Sequence, residues 1–292
     1  MKMVNKMENP DAKFDLYFMA YDDPKSVSHA KHWSDREGLI ELTHNYGTFN
    51  PRPSYHNPTN TTLGTEKDDN YTVNNGNGKE NRGFGHVCIS VDNIQDACKR
   101  ISDAGYSFQK RLEDGRMRSI AFALDPDNYW VEIISQNPVS ETEGKKTDVS
   151  TYRMNHTMIR VKDADKSLKF YQETMGMTLQ RTSEQNEAGF TLYFLSYGPK
   201  APEQSANGVN PIADREGILE LTWNHGSESD DSVKYHNGND EPQGCMSLIS
   251  TLVFNPESIL TQLKSATFAS LSTTWTLPAS ASKTRTLHGR NA

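Results

Sequence analysis

The 292-residue chain contains no run of apolar residues approaching the roughly 18 that a membrane-spanning helix requires. Nothing in it is therefore expected to cross a bilayer. Its opening residues, Met1 to Phe14, mix Lys, Glu, Asn, Asp and Pro and lack the apolar centre of a secretory signal, which leaves a cytoplasmic address as the expectation. Cysteine is scarce. Cys88, Cys98 and Cys245 are an odd number at no metal-like spacing, and they read as reduced thiols rather than a disulfide framework. A basic excess is missing as well: Lys and Arg total 31 against 38 Asp and Glu, a net charge of -7, whereas a nucleic-acid partner needs a concentrated basic face. With 34% hydrophobic residues, the composition is that of two modest globular domains.

What is present in abundance is repetition. K-F-D-L-Y-F-M-A-Y at 13–21 returns as G-F-T-L-Y-F-L-S-Y at 189–197, and D-R-E-G-L-I-E-L-T-H-N at 35–45 returns as D-R-E-G-I-L-E-L-T-W-N at 214–224. Alternation in Phe14-Leu16-Phe18 and Phe190-Leu192-Phe194 predicts half-buried strands, and Leu39 to Thr43 and Ile218 to Thr222 read as strands too. In the second copy, His156 to Val161 reads as a strand and Ala164 to Glu173 as a helix. A similar order runs from His86 to Val91, through a helix at Ile94 to Ala104, to strands at Ser119 to Leu124 and Tyr129 to Ile134. Those last two flank D-P-D-N, a strong turn signal.

The expected organisation is a first copy at 1–135, a linker at 136–150, the first half of a second copy at 151–244 and a tail at 245–292. Met1 aligns with Met177, so the first copy is expected to lack the strand and helix corresponding to His156 to Met175. After Gln243-Gly244, where the first copy continues into His86-Val87, the second turns into Cys245-Met246-Ser247 and a Ser/Thr/Ala/Leu-rich stretch. A shifted reading frame over that stretch permits His-Val and then Asp-Pro-Asp-x-x-Trp-x-Glu, at nearly the spacing of His86 and Glu132. That predicts a tail never selected to fold.

His86 and His156 open strands, and Glu132 and Glu220 interrupt the apolar runs W-V-E-I-I and I-L-E-L. Alternate residues of a strand share a face, so such a carboxylate points either to solvent or into a polar cavity; taken singly, solvent is the ordinary outcome. As a set, one His and one Glu per strand-helix-strand module is the composition of an N/O metal site. His29, His32, His44 and His56 lie in loop-like sequence or beside Glu41, and no metal role is expected of them.

N-H-T-M-I-R-V-K-D-A-D-K-S-L-K-F-Y-Q-E-T-M-G-M at 155–177, L-E-L-T-W-N at 219–224, R-G-F-G-H-V at 82–87 and D-P-D-N-Y-W-V-E-I at 125–133 closely resemble glyoxalase I. The chain from Met1 to about Gly244 is similar to the fused, two-copy fungal form. The resemblance implies an α+β vicinal-oxygen-chelate fold of βαβββ modules, here with the first incomplete and the fourth lost or disordered. It also implies sites made by pairs of modules, second with third and first with fourth. One site is then complete, with His86, Glu132, His156 and Glu220 as metal ligands, while the other retains only Glu41. The implied activity is isomerisation of the glutathione–methylglyoxal hemithioacetal to S-D-lactoylglutathione, with Glu132 as base and Glu220 as ligand and second proton carrier. Zinc is the expected ion, and nickel stays open because the His/Glu set resembles that of nickel-preferring bacterial members. For the substrate's carboxylates the resemblance points to Arg82, Arg160, Asn224 and Lys110. Arg116 and Met117 match the loop that covers the substrate, and Phe194 and Leu192 either line the pocket for its methyl group or belong to the ordinary core. A monomer without nucleic-acid or membrane partners is expected. Competing readings are an extradiol dioxygenase, whose iron site uses two His and one Glu, and an inactive relic or binding protein of the same fold.

Overall fold

A computed structural model describes residues 1–46, 73–115, 117–203 and 208–239. The expectation of a tail that does not fold, the histidine at 56 and the substrate-loop residue Arg116 all lie outside the described residues. The first strands, β1 (Lys2–Asn9), β2 (Phe14–Ala20) and β3 (Leu39–Asn45), form an antiparallel sheet in that order. The remaining strands are β4 (Phe84–Val91), β5 (Phe108–Lys110), β6 (Ile120–Leu124), β7 (Trp130–Ser135), β8 (Arg153–Val161), β9 (Thr178–Gln185), β10 (Phe190–Ser196) and β11 (Ile218–Asn224). They make one eight-stranded sheet ordered β5-β6-β7-β4-β8-β11-β10-β9. Helix α1 (Ile94–Asp103) follows β4, the short α2 (Val139–Thr142) lies in the connection, and α3 (Ala164–Lys169) follows β8. Each half of the sheet is thus a βαβββ module, and the two meet where β4 and β8 pair antiparallel.

Local sequence accounts for the helix starts. Asn93 Oδ1 accepts from the Asp96 amide at 3.2 Å and Asp163 Oδ1 from the Lys166 amide at 3.0 Å, the side-chain caps that open helices. Helix α3 stops short of its expected end at Glu173 and continues as a π-type turn, Phe170–Thr174. Strand β1 was not apparent, because K-M-V-N-K-M-E-N alternates weakly and leaves Met3 and Met7 exposed. It is nonetheless the counterpart of β9, as β2 is of β10 and the 3-10 turn Pro10–Ala12 of Asn186–Ala188. The 136–150 stretch, read as a linker, is docked on the start of α1. Asn93 Nδ2 donates to the Thr142 and Lys145 carbonyls at 2.9 and 2.7 Å, and Asp92 accepts from the Thr147 hydroxyl at 2.6 Å.

The apolar core lies on the helix side of the large sheet, where Ile89, Val91, Ala121 and Ile133 meet Ile94, Ala97 and Cys98 of α1, with Tyr21 and Ile40 from the region of the smaller sheet. That leaves the other face of β4, β7, β8 and β11 for polar chemistry.

The two D-R-E-G turns meet where the smaller sheet touches the larger. Gly38 lies so close that an added Cβ would sit 2.8 Å from the Glu216 carboxyl carbon. Ser28 donates its hydroxyl to Glu216 Oε2 at 3.1 Å, while Oε1 is buried without a partner. Burial pushes this carboxyl up to about 7, Ser28 and Arg153 only partly opposing it and Glu37 adding to it. A raised carboxyl contributes stability that is complete below the unfolded-state value near 4.5 and is lost as pH rises through about 7. Glu216→Gln keeps a group that can accept from Ser28 and removes the ionisation. The variant is expected to be more stable than the parent at pH 8, by at most about 3 kcal/mol, with the advantage gone below pH 4.5. Urea titrations across pH check this, and a pH-independent difference would rule it out.

Candidate metal centre

Strands β7, β4, β8 and β11 run side by side, and their register places the ligand candidates in two adjacent rows. Glu132 pairs with Cys88, Cys88 with His156 and His156 with Ile218; in the next row His86 pairs with Met158, and Met158 with Glu220. Since alternate strand residues share a face, both His and both Glu side chains emerge together. His86, Glu132, His156 and Glu220 are 5%, 7%, 3% and 4% exposed, so none points to solvent.

The donor atoms of these four residues all lie within 4.8 Å of one another. His156 Nε2 is 2.9 Å from Glu132 Oε2 and 2.9 Å from Glu220 Oε2. His86 Nε2 is 3.3 Å from Glu132 Oε2, 3.9 Å from Glu220 Oε2 and 3.2 Å from His156 Nε2. Donors bound about 2.1 Å from one ion stand roughly 3.0 to 3.4 Å apart at right-angle or tetrahedral positions; four of these separations lie close to that range, and His86 to Glu220, at 3.9 Å, is the wider one. Two imidazoles and two carboxylates, buried and convergent, can hold one divalent metal ion. It is the only such cluster among the described residues.

The surroundings favour charge held close. Phe122 lies opposite Glu132 and Phe194 opposite Glu220; their rings stand 5.3 Å from His86 and 5.8 Å from His156, an apolar wall on either side. Burial works to raise the Glu132 carboxyl, but the adjoining His86 and His156 imidazoles hold it well below the usual carboxylate range. Burial works to lower His156, yet Cys88, Glu220 and Glu132 around it raise it well above its ordinary value. These four residues would hold a divalent cation with the histidines neutral and the carboxylates ionised.

Arg160, on the same face of β8, has its guanidinium committed to protein acceptors: the Phe84 carbonyl at 2.8 Å, the Gly76 carbonyl at 3.2 Å and Asn77 Oδ1 at 2.8 Å. Burial and the neighbouring charge of Arg82 bring it down to about 10, so the two arginines share one end of the site. Asn224 reaches the same neighbourhood and donates to the Tyr235 hydroxyl at 2.7 Å. Lys110 spends its ammonium on the carbonyls of Met117 at 3.0 Å and Ile120 at 2.7 Å, tying down the loop on which Met117 is 55% exposed. Glu41 pairs with Phe18 as Glu220 does with Phe194; partial burial raises its carboxyl, and it belongs to no metal-like cluster among the described residues. Tyr235 and Asn155 escaped the sequence reading. The one available signal was that Asn155 immediately precedes a ligand.

A family profile described as the Glyoxalase/Bleomycin resistance protein/Dioxygenase superfamily matches residues 11–133 and 153–271. Over 248 residues the chain is 42% identical to a protein named glyoxalase I from Saccharomyces cerevisiae, covering 84% of this chain and 68% of that one. It is 42% identical over 240 residues to a lactoylglutathione lyase from Schizosaccharomyces pombe, covering 82% and 69%. A solved structure of a single-residue variant of glyoxalase I from Zea mays superposes with a TM-score of 0.50 at 24% identity, covering 77% of this chain and 59% of that one; it bears on the fold alone.

Proposed function

The chain belongs to the glyoxalase I family, within the superfamily whose profile matches it twice, and from that premise we propose that it isomerises the glutathione–methylglyoxal hemithioacetal to S-D-lactoylglutathione. The observation carrying this reading is the convergence of His86, Glu132, His156 and Glu220 on one buried point. When bound, a divalent ion supplies Lewis-acid stabilisation for the charge that develops on the substrate's two neighbouring oxygens. Glu132 takes the proton from the carbon bearing sulfur and returns it to the adjacent carbon, while the hydroxyl proton passes from the oxygen on the sulfur-bearing carbon to the neighbouring oxygen, with Glu220 as the second proton carrier. Glu220 holds its place as a ligand; its Oε1 accepts from the Thr222 hydroxyl at 3.5 Å. The apolar walls made by Phe122 and Phe194 offer the developing carbanion no proton. Arg82, Arg160, Asn224 and Tyr235 form the end that receives glutathione's carboxylates, and Met117 belongs to the covering loop.

Zinc is the ion we assign, with nickel the competitor that the same donors admit; a monomeric, cytoplasmic enzyme completes the reading. The test is to load the purified chain with each ion, add methylglyoxal and glutathione, and follow thioester absorbance. Turnover supports the reading, whereas a folded, ion-bound protein without turnover would mark an inactive relic.

Arg160 gives a narrower test. Arg160→Ala is expected to raise KM more than it lowers kcat, because the residue acts remotely from the reacting carbon. It should also lower stability by about 1 to 3 kcal/mol, since the Phe84 carbonyl and Asn77 Oδ1 each lose a donor. A defect confined to kcat would remove Arg160 from the substrate end.

A further inference from the structure

Asn155 precedes the ligand His156 on β8 and is 0% exposed. Its side-chain amide makes three hydrogen bonds: with the Ile212 carbonyl at 2.7 Å, the Arg215 carbonyl at 2.8 Å and His156 Nδ1 at 2.7 Å. Carbonyl oxygens only accept, so the amide end facing both of them has to be the NH2 group. The oxygen Oδ1 is then the end that faces His156. Because Oδ1 also only accepts, Nδ1 has to carry a proton, and a neutral imidazole carries just one. The lone pair is left on Nε2, the atom 2.9 Å from both Glu132 and Glu220. Two backbone carbonyls in a turn thereby decide which nitrogen of His156 can bind a cation.

We propose that Asn155 is a positioning residue of the metal centre, which locks His156 in the tautomer presenting Nε2 and couples that ligand to the 212–215 turn. That turn leads directly into β11, which carries Glu220, so one side chain sets two ligands from neighbouring strands. Asn155 touches no reacting atom and is not catalytic. Ser90 provides an internal control, since its hydroxyl donates to the Ala213 carbonyl of the same turn at 2.6 Å from a position two residues beyond Cys88. The proposal rests on the metal centre described above but not on the substrate it serves.

The experiment uses the full chain loaded with zinc and labelled with 15N-histidine. Long-range proton–nitrogen NMR is expected to show His156 protonated at Nδ1 and zinc-bound through Nε2. Binding through Nδ1, or a proton on Nε2, overturns the proposal without any variant having to fold, whereas no zinc binding at all overturns the metal centre itself. Chelator competition then separates positioning from scaffolding. Asn155→Ala should weaken zinc binding about 10- to 100-fold. Asn155→Asp, which keeps the acceptor and loses both donors, should melt lower than the parent yet retain most of its zinc affinity. Ser90→Ala should melt lower with zinc affinity unchanged. If Ser90→Ala loses as much zinc affinity as Asn155→Ala, the effect is merely structural and the proposal fails.

Discussion

Glu132→Gln is expected to retain the divalent ion and to lose turnover by about 10²- to 10⁴-fold, the usual contribution of a positioned general base. The amide fills the same volume beside Phe122 and keeps an oxygen that can coordinate weakly, but it cannot take a proton from carbon. The resemblance assigns the base to Glu132 rather than Glu220, and one contact bears on the choice. Glu220 has its second oxygen engaged by the Thr222 hydroxyl, which favours a fixed ligand. Glu132 is gripped from one side by the two imidazoles, with Oε2 3.3 Å from His86 Nε2 and 2.9 Å from His156 Nε2. Metal content after dialysis and thioester formation are measured on the same preparation. Activity above a few per cent of the parent with full metal content would move the base to Glu220. Loss of the ion would leave Glu132 as a ligand whose chemistry needs a different probe.

The four candidates stood out because a strand-borne charge between apolar neighbours is conspicuous, as in W-V-E-I-I and I-L-E-L, but it was the motif resemblance that made them one ligand set. The sheet order was not. Nothing local in Phe84–Val91 or Arg153–Val161 says that these strands pair antiparallel and place Cys88 between Glu132 and His156, since pairing partners are chosen by long-range burial. The same limit explains Arg160 and Lys110. A motif places a cation near the site, but only the fold shows which carbonyls, at Phe84, Met117 and Ile120, it also donates to. Strand β1 was missed for a local reason: its polar composition carries little period-two signal, and it forms because β2 offers it an edge.

The glycines of R-G-F-G-H were legible as a motif without a reason, and packing now supplies different reasons for the two. A Cβ on Gly83 would overlap the His236 backbone carbonyl oxygen, whereas one on Gly85 would press on the Sδ and Cε of Met158. Met158 ends in an unbranched, adaptable thioether that can swing aside, so Gly85→Ala is expected to cost about 1 kcal/mol. Backbone cannot yield in that way. The His236 amide donates to the Arg82 carbonyl at 2.8 Å and the Arg160 amide to the Gly83 carbonyl at 3.0 Å, so both sides of the contact are held in place. Gly83→Ala is therefore expected to destabilise by on the order of 4 kcal/mol, or else to displace the segment that carries His236. That segment includes Tyr235, whose hydroxyl accepts from Asn224. Displacement would accordingly raise KM for the hemithioacetal while leaving the four buried ligands able to bind zinc. Urea titrations of the two variants side by side, with zinc content and KM on whatever remains folded, make the comparison. Equal, small losses in both would mean that the 232–238 segment is not seated on β4, and Tyr235 would then leave the substrate end of the site.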